Sequence, residues 1–272
     1  MITVELIKLL RRPRTWVVIA LIDALPTLVA FLLALTDIAP RPGTGPAFLS
    51  AVLSNGVLFP AAALAIVLPL FLPVSVAIVS GDSIAGEAQA GTLRYLLARP
   101  AGRTRLLVAK LVSVLVFVFL AVVVVTVTAY FVGTSLFGAS SLAGGAIVSV
   151  SGEPLSPQQA VLRTLLAMAY VAFSMLGVAA MAVFLSTLTD SPLAAAMGAL
   201  AFLVASSLLL TLDAAGSIRP YLPTRYWLSF IDLFRQPILW RDILRGVGLQ
   251  AVYVAVLLGS AWANFTTKDI KS

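Results

Sequence analysis

Few side chains in this sequence could do chemistry, and they are unevenly placed. There is no His and no Cys, so the usual general base, the commonest metal ligand, thiolate nucleophiles and disulfides are all missing. Serine–histidine hydrolysis and HExxH zinc chemistry are thereby excluded. The polar groups that remain gather in one stretch, Gly81 to Arg105, which reads GDSIAGEAQAGTLRYLLARPAGRTR. Asp82 and Ser83 suit the amino-terminal cap of a helix, and Glu87 would lie early in that helix, where the dipole favours an anion. Gly91 suits the left-handed residue that ends it. A second run, Thr92 to Ala98, would set Leu93, Leu96 and Leu97 on one side and Arg94 toward the other, before Pro100 and Gly102 stop it. Such a compact, charged element is either a docking surface or a basic loop that anchors two membrane helices.

A second candidate is Asp23, three residues before Pro26 in an apolar block. A carboxylate at bilayer depth costs about 2.5–3.5 kcal/mol on insertion scales and usually meets a partner, a cavity or water. Two readings stand: a substrate or proton contact, or a carboxylate near the inner interface paired with a basic group or backbone. No nucleotide site is expected, because none of Lys8, Lys110, Lys268 or Lys271 follows the G-x-x-x-x-G-K-[ST] spacing that lets backbone N–H groups surround phosphates. No metal, cofactor or nucleic-acid partner is expected in this chain.

The elements that must position these groups are helices in lipid. Apolar residues make up 61% of the 272 and charged residues 11%, whereas a soluble domain carries roughly a quarter charged residues. So little charge cannot coat a globular surface. Windows of about twenty apolar residues, the length a bilayer core requires, run from Trp16 to Thr36, Val57 to Ser80, Leu106 to Phe137, Ala160 to Ser186, Pro192 to Leu212 and Gly246 to Phe265. The expected fold is therefore an all-α integral membrane protein, one domain of six spans, with no cleavable signal peptide. Pro60, Pro69 and Pro73 should bend the second span. Small residues such as Ser174, Gly177, Gly198 and Ser206 mark close helix packing.

Basic residues orient the spans. Lys8, Arg11, Arg12 and Arg14, then Arg94, Arg99, Arg103 and Arg105, then Lys268 and Lys271 share one side, expected to be cytoplasmic with both termini. Opposite lie Arg41, the segment Gly138 to Ser151 and the loop Asp213 to Arg245, whose five arginines run against the rule. In that loop Trp227, Phe230, Ile231, Phe234 and Ile238 recur at helical spacing. They describe either short interfacial or re-entrant helices facing acyl chains or a loop packed on the protein's own rim.

The order Gly86-Glu87, Gly91-Thr92-Leu93-Arg94, Leu97, Pro100, Arg103 and Lys110 resembles the cytoplasmic loop of permease subunits of type-2 ATP-binding-cassette (ABC-2) exporters. Leu185 to Ala194 is similar to that family's turn between spans four and five, Phe265 to Ile270 to its carboxyl-terminal motif, and Glu5 to Arg14 to its elbow helix. One departure is Thr266-Thr267 before Lys268, where the family often carries another basic residue. The resemblance implies that the loop is a coupling helix seated in a separate ATPase, with Glu87, Gly91, Thr92, Leu93 and Arg94 as its core and Asp82 and Arg103 as further coupling residues. It also implies two ATPase subunits carrying ATP and Mg, and a second permease subunit, identical or paralogous. A cavity poor in polar groups suits a lipophilic or amphipathic cargo. The alternatives are a membrane anchor or scaffold that docks an ABC-type ATPase without transport, and an intramembrane enzyme, for which the GxGD constellation is missing.

Overall fold

The computed structural model describes residues 2–36, 56–92, 103–138, 147–213 and 216–267. The chain is helical almost throughout. Helix α1 (Ile2–Arg11) turns at Arg12 into α2 (Pro13–Thr36), with Pro13 at the helix start, where its missing N–H costs nothing. After a 3-10 turn, Gly56–Leu58, come α3 (Phe59–Val67), α4 (Phe71–Gln89), α5 (Arg103–Phe137), α6 (Pro157–Leu188), α7 (Pro192–Thr211) and α8 (Trp240–Thr267). Among the described residues, α2, α4, α5, α6, α7 and α8 are the six helices long and apolar enough to cross a membrane.

The expected second span is a broken one. It divides at Leu68-Pro69-Leu70, between α3 and α4, and α4 runs past Ser80 to Gln89. Pro69 lies in the break, while Pro60 and Pro73 fall in the first turns of α3 and α4, where a proline leaves no hydrogen bond unmade. The expected cap at Asp82-Ser83 does not form, since both residues sit inside α4. Ser83 Oγ instead donates to the carbonyl of Ser80 at 2.6 Å, and Gly81 serves packing. A Cβ there would lie 3.0 Å from the backbone nitrogen of Ala196 and 3.1 Å from the carbonyl oxygen of Pro192, so the first turn of α7 approaches closely. Across from it, the buried Ser186 of α6 donates to the Gly81 carbonyl at 2.7 Å and accepts from the Ala85 amide at 2.8 Å and the Ile84 amide at 3.2 Å.

Helices α4 and α6 are the most buried spans, and α2 and α8 the least. Helix α8 packs on α6, α4 fits between α6 and α7, and α2 and α3 pack on α5. Alanines fill the seams: Ala61, Ala63, Ala77, Ala85, Ala109, Ala121, Ala182 and Ala199 are all buried to 1% or less exposure. In lipid there is little water to expel, so close contact between small side chains is what holds such helices together. The tightest seam is Gly56 against Gly133. A Cβ on either glycine would strike the backbone of the other segment.

The expected last outer loop also differs from its interfacial reading. It holds two 3-10 segments, Arg219–Tyr221 and Trp227–Phe234. Trp227, Phe230, Leu233 and Phe234 are buried against α6 and α8, so the apolar side faces the protein's own core and not acyl chains. Polar anchors hold it there. Tyr170 Oη donates to the Tyr226 carbonyl at 2.6 Å, Gln250 Nε2 to the Pro223 carbonyl at 2.7 Å, and the buried Arg163 to the Arg235 carbonyl at 3.0 Å and Gln236 Oε1 at 2.7 Å. A short hairpin, β1 (Ile147–Val148) with β2 (Pro154–Leu155), pairs Ile147 with Leu155. The Val150 amide bonds the Phe234 carbonyl at 3.0 Å and ties the hairpin to the loop. Helix α6 then starts from a capping box between Ser156 and Gln159.

Candidate functional site

The end of α4 is a rigid projecting tip. Gly91 stands at φ +67°, in the left-handed region. Its amide bonds the Ala88 carbonyl at 3.0 Å, and the Thr92 amide bonds the Glu87 carbonyl at 3.0 Å. This pair of bonds is the Schellman closure, which satisfies carbonyls that the helix end would leave open. Gln89, Ala90, Gly91 and Thr92 are exposed. Leu93 and Arg94, expected to share this element, lie outside the described residues.

Glu87 is not at a helix start, as the sequence suggested, but in the last turn of α4. There the dipole disfavours an anion, and neighbouring cations compensate. Lys8 Nζ reaches Glu87 Oε1 at 2.6 Å and Lys110 Nζ the same oxygen at 3.1 Å, while Thr92 Oγ1 donates to Oε2. Lys110 also contacts Glu5 Oε2 at 3.0 Å. The side chains of Lys110, Glu87 and Glu5 are 7%, 12% and 15% exposed, so three helices meet at a largely buried set of alternating charges. The Glu87 carboxylate therefore binds α1 and α5 inside the chain, and the outward face of the tip belongs to its neighbours.

Asp82, almost a turn and a half earlier, is the counter-ion of the corner between α1 and α2. Its Oδ2 accepts from Arg14 Nη2 and, at 3.4 Å, from Arg12 Nη1. Sequence reasoning missed Glu5, Lys8, Arg12, Arg14 and Lys110 as partners of these acids. The signal was present on α1, since Glu5, Lys8, Leu9 and Arg12 fall at helical spacing on one side. All four line a cavity of about 820 Å³, together with Arg14, Val18, Ile78, Val79, Asp82, Glu87, Lys110 and Leu193.

Arg103 is placed elsewhere. It opens α5 and donates through Nη1 to the carbonyls of Thr266 at 3.0 Å and Phe265 at 3.3 Å, closing the carboxyl end of α8. Asn264 of α8 donates to the Thr187 carbonyl and hydroxyl at 3.0 and 2.9 Å. The tip, α5, α6 and α8 are thus joined at one end of the bundle. Asp23 is apart from all of this, near the middle of α2 beside Thr128 of α5, and among the described residues it makes no ion pair with a basic group. Its Oδ1 is buried with no hydrogen-bond partner among the described residues. Among those residues no group of three or more acids gathers to hold a metal ion.

A family described as "Protein of unknown function (DUF2705)" matches residues 47–270. The chain belongs to this family. The DUF2705 match covers α3 to α8, and with them the tip, Lys110, the Ser186 bridge and the anchored loop, while α1 and α2 precede it. No curated protein matches the chain.

Proposed function

We propose that this DUF2705 protein is the membrane-spanning permease subunit of an ATP-driven exporter of the ABC-2 type. A separate ATPase docks on the tip of α4, and the cargo is lipophilic or amphipathic. The observation that carries the reading is the tip itself: a Schellman-closed helix end, exposed at Gln89 to Thr92, whose Glu87 is tied by ion pairs to both α1 and α5. A body pushing on such a tip moves three helices together. ATP and Mg belong to the partner, two of which act on a pair of permease subunits.

Ala90→Trp and Gly91→Val test the docking. The first adds bulk to an exposed position, and the second forces a β-branched residue into the left-handed region. Neither position packs against the bundle: Ala90 is exposed, and nothing lies within 4 Å of a Cβ at Gly91. Insertion should survive while co-purification with the co-encoded ATPase, or stimulation of its hydrolysis, falls by about tenfold or more, as at a central interface position. Glu153→Gln, on the far hairpin, should leave both unchanged. If both tip variants dock and stimulate like the parent, the coupling role is lost.

The proposed topology has both termini and the tip in the cytoplasm and the hairpin outside. Because the chain contains no Cys, Gln89→Cys and Glu153→Cys give clean single labels. An impermeant maleimide applied to intact cells should modify Glu153→Cys, and Gln89→Cys only after permeabilisation. Modification of both in intact cells would overturn the arrangement.

A further inference from the structure

The cleft between α1, α2, α4 and α7 has a charge that does not cancel within itself. Glu5 and Glu87 are matched by Lys8 and Lys110. What remains is Asp82 with two guanidiniums, Arg12 and Arg14, both on the single oxygen Oδ2. One carboxylate gathers two like charges and neutralises one of them. The carboxylate is the more sheltered member at 28% exposure, whereas Arg12 and Arg14 are 39% and 60% exposed. The guanidiniums accordingly have donors left over on the open side.

The walls change character within one helical turn. Val18 follows Arg14 by four residues on α2, and Ile78 precedes Asp82 by four on α4, so apolar surface begins about 6 Å further along both helices. Leu193, at the start of α7, is 71% exposed beside them. Arg14 lies in the first turn of one spanning helix and Pro192 opens another, which sets the guanidiniums at the depth of the lipid phosphates and the apolar walls at the depth of the first acyl carbons. The volume, about 820 Å³, falls within the range of small-molecule sites.

We infer that this cleft binds an anionic glycerophospholipid of the adjoining leaflet, its phosphodiester on Arg12 and Arg14 and its acyl chains along Val18, Ile78 and Leu193. Asp82 is a positioning residue that holds the two guanidiniums together. A free phosphate would match the charge and leave the walls bare. A zwitterionic lipid would match the walls and leave the residual positive charge unmet. The contacts assigned to the lipid, Arg12, Arg14, Val18, Ile78 and Leu193, include no residue of the tip; Ala90 and Thr92 also line the cavity but Gly91 does not, so Gly91→Val tests docking without touching this site.

The test is native mass spectrometry of the delipidated full chain with phosphatidylglycerol or phosphatidylcholine of identical acyl chains. The parent should retain phosphatidylglycerol about tenfold better than phosphatidylcholine, the order expected from one to two basic groups acting on one anionic headgroup. Arg12→Gln with Arg14→Gln should abolish that preference, and Arg105→Gln, exposed at the same end, should preserve it. Inorganic phosphate at the lipid concentration should displace nothing. Equal retention of the two lipids by the parent, or displacement by inorganic phosphate, overturns the inference without any variant. A preference that survives in a folded double variant overturns it as well.

Discussion

Lys110→Met is expected to destabilise the protein by about 3–5 kcal/mol, the usual consequence of removing one partner from a buried ion pair. The ammonium it deletes lies between Glu5 at 3.0 Å and Glu87 at 3.1 Å, and its own side chain is 7% exposed. Lys8 remains for Glu87, but Glu5 would face a second carboxylate across an apolar side chain. The thermal midpoint of the detergent-solubilised chain should drop by roughly 10 °C for such a loss. The charge, and not the shape, is responsible, so the triple variant Glu5→Gln, Glu87→Gln, Lys110→Met should recover most of it. Neutralising a whole buried network is commonly close to neutral, whereas breaking one is not. A single variant as stable as the parent, or a triple variant no better than the single, would show that α1 is not held by this network.

Gly133→Leu should cost still more. A Cβ at Gly133 would meet the Phe59 side chain and the carbonyl oxygen of Gly56, and one at Gly56 would lie 2.9 Å from the Thr134 amide nitrogen as well as against Gly133. The Gly56 amide is in turn bonded to the Gly138 carbonyl at 3.2 Å, so the short segment cannot slide away. Overpacking against side chains costs about 1–3 kcal/mol, and here the obstacle is the Gly56 backbone carbonyl as well as the root of the Phe59 side chain. The expected result is a sharp fall in monodisperse protein on size-exclusion after solubilisation. Gly259→Leu is the matched comparison, since nothing lies within 4 Å of its Cβ. Equal yields of the two variants would mean that α3 and α5 do not pack as described.

The six membrane-length helices were legible because lipid imposes one simple rule on length and polarity. Their interruptions were less so. The second span was expected to end at Ser80 because Asp82 and Ser83 look like a helix cap, yet α4 runs through them, and the missing side chain of Gly81 admits α7, a use that only a neighbouring element can reveal. The same holds for Glu87: an acid five residues after an apparent cap looks like a residue early in a helix, and only the true start of α4 at Phe71 shows it to be in the last turn. Trp227 to Phe234 read correctly as amphipathic, but amphipathicity does not say whether lipid or protein receives the apolar side. Gly91 was legible on local grounds alone, because a left-handed cap is decided by one residue and its own backbone.

The bridge from the Ser186 hydroxyl of α6 to the backbone of α4 has a mechanical meaning. In an α-helix the Gly81 carbonyl and the Ala85 amide face each other across one turn, and here one hydroxyl from another helix bonds both, and the Ile84 amide as well. Helix α6 thus holds α4 as a pawl holds a ratchet tooth. If α6 shifts enough to withdraw the hydroxyl, all three contacts go at once. Such a contact is a latch and not a spring. It lies between the spanning part of α4 and the tip at Gly91, on the path that any push from outside the bundle must follow.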